Sequence, residues 1–292
     1  MSTAIQRYTD EHGREVVYGY ADEISAVSYE TLDEWREAKK LRELAKGPQR
    51  LFVSCYHDTT KELSDILAIN ELGTIMKLVP YIKMSSGGQL YRDGERMTSS
   101  HIAKVIRKSK RATEIILSDL VEHGVLNAER DGRFIYYSVN ERFHSIGKHV
   151  RTAYFTKVYQ VKTRTDIDNL TIQAAGLLYK MIPYFNYEWC CLCENPEEVD
   201  EKKIRYLSHI QIGQLLGADR KFIDRYTREL IRFGFIAKYI VYEAELYVIN
   251  PDIMYRKKDE YTPYAESLRT LFSMGEVCSE QMTSMSVADL PY

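Results

Sequence analysis

The chain contains itself twice, and that repetition limits its folds more than any other feature. Residues 52–81 laid over residues 155–184, a shift of 103, match without a gap at ten of thirty positions. The matches are Phe52/Phe155, Tyr56/Tyr159, Thr60/Thr163, Asp65/Asp168, Leu67/Leu170, Ile69/Ile172, Gly73/Gly176, Lys77/Lys180, Pro80/Pro183 and Tyr81/Tyr184. Other pairs keep their polarity, as Leu78/Met181 and Val79/Ile182 do. Residues 97–140 then align with 207–250 at a shift of 110, through Ile102/Ile212, Leu120/Leu230, Gly124/Gly234, Tyr137/Tyr247 and Asn140/Asn250. The change of seven falls between Tyr184 and Leu207, where the second copy holds the acidic run ENPEEVDE. Two unrelated helical segments do not share ten of thirty ungapped positions, so the sequence is read as one domain written twice. The expected boundaries are 1–50 for an N-terminal arm and charged helix, 51–150 and 151–256 for the two copies, and 257–292 for an acidic extension. A length of 292 residues agrees with about two domains at roughly 150 residues each.

Each copy must therefore fold from one series of elements. A lead-in over 51–63, extended or helical, precedes an amphipathic helix near 65–82 that ends about Pro80, because proline cannot continue the helical ladder. Ser85-Ser86-Gly87-Gly88 reads as a turn and Gln89–Tyr91 as a short strand. Thr98 caps a short helix through about Arg107, with Ile102, Val105 and Ile106 as its apolar face. Ser109 caps a second helix to His123, in which Thr113, Ile116 and Leu120 form a buried stripe and Gly124 supplies the stop. Val125–Arg130 and Arg133–Val139, joined by Asp131-Gly132, read as a hairpin with a type I′ turn. In the second copy Ser208 caps 209–216, Asp219 caps 220–233, Gly234 ends that helix and 235–249 forms the hairpin. The expected fold class is mainly α with small β-hairpins (α+β), arranged as two tandem winged helix-turn-helix domains. In the flanks, Arg14–Tyr29 suggests a small hairpin or arm, and Thr31-Leu32-Asp33-Glu34 a capping box opening a helix that stops at Gly47-Pro48. From Asp259 onward six acids face Arg269 alone, and 276–292 reads as a loose tail.

Forty basic and forty-two acidic residues give a net charge of −2, which hides a strong segregation. Between Arg96 and Thr113 lie six basic residues and no acid, whereas ordinary solvated helix faces mix the two signs. In a helix-turn-helix the first helix crosses the phosphate backbone and the second enters the major groove. Lys104, Arg107 and Lys108 are thus candidates for phosphate contact. Ser109, Lys110, Arg111, Glu114 and Ser118 are candidates on the second helix, where Lys or Arg pairs with guanine and Glu accepts from cytosine. Arg130 and Arg133 stand at the hairpin tip, in reach of a minor groove or neighbouring phosphates. The second copy offers Arg220, Lys221, Arg225 and Arg228, but residues 219–233 carry a net charge of only +2, and its hairpin holds Glu243 and Glu245. Weaker phosphate binding, self-association or partner binding are the expectations there.

Other chemistries find little support. Cys190 and Cys193 have the spacing of half a zinc site, but no second pair follows, so no metal is expected. His123 reads as a partner of a helix C-terminus, and Asp166 with Asp168 as an isolated acidic pair. No phosphate-binding, dinucleotide or nucleophile-elbow motif occurs, so no enzyme, catalytic residue or cofactor is expected. Five cysteines form no disulfide framework, no apolar run reaches about 18 residues, and the first residues lack a signal-peptide core. A cytoplasmic protein without membrane contact is expected.

The residues also carry a resemblance. Tyr8-Thr9-Asp10-Glu11-His12-Gly13-Arg14-Glu15-Val16-Val17, Phe52-Val53-Ser54-Cys55-Tyr56, the helix pair up to Gly124, and Tyr137-Ser138-Val139-Asn140 resemble the RepL-type winged-helix replication proteins of small Firmicute plasmids. The likeness to MarR-like regulators is more distant. Tyr247-Val248-Ile249-Asn250-Pro251-Asp252 looks like the same ending in the second copy. The resemblance implies double-stranded DNA binding at a plasmid or phage origin, without catalysis. A transcriptional regulator at an operator and a winged-helix protein-interaction scaffold remain as alternatives. Replication or transcription machinery and a second copy of the chain are further candidate partners.

Overall fold

The computed structural model describes residues 50–147, 153–240 and 245–274 in full, and the backbone alone of residues 241 and 244 and of two further strands. Those strands, β1 (Gln6–Thr9) and β2 (Glu15–Tyr18), pair antiparallel, Gln6 with Tyr18 and Thr9 with Glu15. The hairpin expected within Arg14–Tyr29 therefore has its first strand upstream of Arg14. It belongs to a unit of its own, residues 1–49. The helix expected from Thr31 and the tail at 276–292 lie outside the described residues.

Residues from Arg50 onward form a second unit that includes both copies. The lead-in Phe52-Val53-Ser54-Cys55-Tyr56 is too short and too apolar for periodicity to choose between strand and helix. It is strand β3 (Phe52–Tyr56), with Val53 through Tyr56 buried. The lead-in continues as helix α1 (His57–Ile66), and the helix expected near 65–82 is α2 (Ile69–Leu78), which begins a turn later. Leu67 and Ala68 between them are extended, although neither is glycine or proline. Pro80 sits in a 3-10 turn over Val79–Tyr81 that ends α2. A two-residue ladder, β4 (Tyr91–Arg92) with β5 (Glu95–Arg96), leads to α3 (Ser99–Ile106), a three-residue turn and α4 (Lys110–Glu122). The hairpin β6 (Leu126–Asp131) and β7 (Phe134–Val139) follows, then β8 (His144–Ser145). Asp131 pairs with Phe134, so the turn residues are Gly132 and Arg133, not Asp131-Gly132. Only Gly132 has positive φ (57°), the pattern of a type II′ turn and not the expected type I′.

The second copy repeats the series as β9 (Phe155–Tyr159), α5 (Gln160–Asp166), α6 (Ile172–Met181), α7 (His209–Leu216) and α8 (Arg220–Arg232). The hairpin β10 (Ile236–Val241) and β11 (Ala244–Ile249) and the short β12 (Met254–Tyr255) complete it. The acidic run lengthens the connection after Cys190-Cys191-Leu192. That segment does what Gly88-Gln89-Leu90 does in the first copy. Leu90 N donates to Tyr137 O, and Leu192 N donates to Tyr247 O. Asn140 and Asn250 match equally well: each donates from Nδ2 to the carbonyl of the glycine that ends the longer helix, Gly124 (3.0 Å) and Gly234 (2.8 Å).

The copies face each other across an approximate two-fold axis. Strands β3 and β9 pair antiparallel at the centre of a four-stranded sheet ordered β12-β9-β3-β8. Phe52 lies opposite Tyr159, Tyr56 opposite Phe155 and Ser54 opposite Lys157. Because Phe52 corresponds to Phe155 and Tyr56 to Tyr159, the pairing maps onto itself when the copies are exchanged. The two cross-strand aromatic pairs agree, with ring centroids 6.4 Å and 6.3 Å apart. The outer strands follow: Cys55 pairs with His144 as Val158 pairs with Met254. Lys61 stands over the Tyr184 ring, and Arg164 over the Tyr81 ring. Beneath the sheet α2 crosses α6 through almost fully buried side chains, among them Leu72, Ile75, Met76, Leu177 and Leu178. Each such side chain contributes roughly 1.5–3 kcal/mol by leaving water.

One departure from symmetry sits on the axis. Where the first copy has Ser54, the second has Lys157, which reaches Glu260 (3.0 Å) and the carbonyl of Lys257 (2.8 Å). This ties the segment after β12 to the second copy. Helix α9 (Pro263–Ser273) buries Ala265 and Leu268, and Arg269 binds Asp252 and Glu266. The acidic extension is thus packed at least to its helix.

Candidate nucleic-acid interface

The geometry around α3 and α4 follows from their apolar spacing. Ile102, Val105 and Ile106 on α3, and Thr113, Ile116, Leu117 and Leu120 on α4, all point into the core. The residues between them face outward. Thr98 caps α3 as half of a capping box with His101. Ser109 caps α4 by accepting from the amide of Ala112, and its own carbonyl accepts from the Thr113 hydroxyl at 2.9 Å.

Of the first-copy candidates, Lys104, Arg107, Ser109, Lys110, Arg111, Glu114, Ser118, Arg130 and Arg133 are exposed and Lys108 is half-buried. Lys110 lies 3.8 Å from Glu114, one turn along α4. Lys104, Arg107, Lys108 and Arg111 form no ion pair with any described residue. Ile115, 57% exposed, stands between Arg111 and Ser118 on the same outward side. Arg107 has φ 54° and ψ 48°, a left-handed backbone that side chains other than glycine enter at a cost.

The acid-free stretch is less uniform in space than in sequence. Glu129 on β6 returns to Arg96 and pairs with it, while the Arg96 guanidinium stacks 4.5 Å from the Tyr136 ring centre. Arg96 therefore fixes the hairpin against β5 and is lost to the free cationic surface. Arg133 stands over the Phe134 ring at the hairpin tip. Thr98 also bridges Tyr136, which ties the start of α3 to β7.

The second copy keeps the frame and changes the surface. Arg220, Lys221, Arg225 and Arg228 are exposed on α8. Where the first copy places Lys104, Arg107 and Lys108, the second has Gln214, Gly217 and Ala218. Gly217 takes the same left-handed backbone as Arg107, at φ 62°. Ile210 is 62% exposed, and a shallow cleft of about 480 Å³ runs between α7 and the turn. The acids here are engaged: Asp224 lies 2.9 Å from His209, and Glu245 binds Lys238 and accepts from the amide of His209. Glu243 lies outside the described residues.

Several other residues singled out for their chemistry make contacts within the fold. Cys190, Cys191 and Cys193 are buried against the second hairpin, where burial pushes the Cys190 thiol up to about 12. A hydrogen bond from Cys191 holds the Cys193 thiol below its ordinary value. Among the described residues no group of three or more His, Cys, Asp or Glu is placed to hold a metal ion. Asp166 pairs with Lys162, and the His123 ring meets the carbonyl of Asp119 at the end of α4. No described helix is long and apolar enough to cross a membrane.

Comparison with family models, curated proteins and solved structures gives no match.

Proposed function

We propose that the chain is a non-enzymatic, double-stranded DNA-binding protein built from two tandem winged helices. In this reading it works at an origin or operator of a plasmid or phage. One observation carries the reading: Lys104, Arg107 and Arg111 are exposed and Lys108 half-buried on α3, the turn and α4, and none of the four pairs with an acid among the described residues. Such a surface is repelled by itself, and a polyanion relieves the repulsion. Counterions released from the phosphates that these cations neutralise would supply affinity, while Lys110, Arg111 and Glu114 at the start of α4 would read base edges.

Arg107 adds weight. A left-handed backbone costs a residue with a side chain roughly 1–2 kcal/mol, and the second copy avoids that cost with Gly217. Retaining a guanidinium at a strained position fits a role for its charge. The hairpin arginines, Arg130 and Arg133, would extend the contact along the backbone.

Selection from a randomised duplex pool with the purified full chain tests the reading. Recovery of a defined motif whose binding weakens as salt rises supports it. A chain that enriches no duplex sequence and binds none at low salt contradicts it. Where the motif maps, to an origin or to a promoter, separates the initiator from the regulator.

A further inference from the structure

We infer that one chain reads two half-sites in inverted orientation on one duplex, one copy on each, and grips them unequally. This deepens the DNA reading above and rests on it. Two copies joined head to tail in sequence suggest direct repeats, which a translation between the copies would require. The structure relates them by rotation instead. Phe52 meets Tyr159 as Phe155 meets Tyr56, and Gly73 faces Ile172 as Gly176 faces Ile69. Such reciprocal contacts define an isologous interface, of the kind that relates subunits of two-fold dimers. A duplex has two-fold axes across its length, so α8 lies on the second half-site in the orientation opposite to that of α4 on the first, and reads it with its own side chains.

The relation between the copies is rigid. A shared four-stranded sheet and the buried crossing of α2 with α6 hold them, so a single half-site spacing satisfies both. Once the first half-site is held, the second is engaged within the same molecule, which raises affinity without new kinds of contact. The grip is unequal because Gln214, Gly217 and Ala218 replace three cations, and Glu245 stands on the second hairpin.

The experiment takes the selected motif and builds single, direct and inverted arrangements over a range of spacers. Fluorescence anisotropy reads affinity for the full chain, and native mass spectrometry counts chains per duplex. The inverted pair at one spacing should bind at least about tenfold tighter than a single half-site, with one chain per pair. Direct repeats that bind as tightly at any spacing would overturn the inference, and so would two chains on the inverted pair. Salt-dependent binding to a single half-site with no gain from inversion overturns this inference alone. Failure to bind any duplex overturns it together with the DNA reading.

Discussion

Gly73 and Gly176 hold the same position in the two copies, and each faces a carbonyl of the other copy. A Cβ on Gly73 would stand 1.9 Å from the Ile172 oxygen, and one on Gly176 would stand 2.4 Å from the Ile69 oxygen. The helices cross so closely that only hydrogen fits between them. Alanine normally gains about 1 kcal/mol over glycine inside a helix. Here the obstacle is backbone on both sides, so the overpacking cost dominates. Gly73→Ala should destabilise the chain by about 2–3 kcal/mol, with Gly176→Ala milder, each read as a lower midpoint in urea denaturation. Unchanged or raised stability in both variants would show that the crossing is looser than described.

The repeat in the sequence marked these residues without saying why they match. Phe52 and Tyr56 recur because each faces the other's counterpart across the axis, Gly73 because it faces the counterpart of Ile69, and Tyr81 because its ring lies under Arg164 of the other copy. Sequence comparison finds such identities but cannot distinguish rotation from translation. The caps at Thr98, Ser109, Ser208 and Asp219 and the stops at Gly124 and Gly234 were legible, because local hydrogen bonds and backbone freedom decide them. The boundary between lead-in and helix, expected near residue 64, falls at Leu67-Ala68, because no local breaker stands there and both residues are helix-compatible. The lead-in stayed open between strand and helix because β3 is buried on both faces and five residues long. At the candidate interface, the outward placement of Lys104, Arg107 and Arg111 followed from helical spacing. The capture of Arg96 by Glu129 did not, because the two lie 33 residues apart.

Two buried histidines make stability depend on acidity. Burial, helped by Arg256 and Lys61, brings the His57 imidazole from 6.5 down to about 3, and burial alone does the same to His144. His57 contacts the Thr156 hydroxyl at 2.9 Å and His144 the Tyr179 hydroxyl at 2.8 Å. The folded chain holds both neutral while the unfolded chain takes up protons below about 6.5. Stability is therefore full above 6.5 and falls as pH drops towards 3, by about 1.4 kcal/mol per pH unit for each histidine. The second copy has Gln160 and Met254 at these places. Thermal melts of His57→Gln/His144→Met should lose less between pH 7 and pH 5 than melts of the parent. An identical pH dependence would assign the acid sensitivity elsewhere.

Base reading should be separable from phosphate grip. Arg111→Ala and Lys110→Ala each remove a candidate partner of guanine, and each should weaken binding to the selected motif by about 1–3 kcal/mol. Binding to unrelated duplex should change much less, so the ratio of the two affinities falls. A uniform loss on every sequence would move these residues to the phosphate backbone.

The salt dependence of duplex binding tests the DNA reading most directly. The logarithm of affinity should fall linearly with the logarithm of salt for the parent chain. For Lys104→Ala/Arg107→Ala/Lys108→Ala the slope should be shallower by about three units, one for each lost phosphate contact. A triple variant that binds with the parent's affinity and the parent's slope would contradict the account.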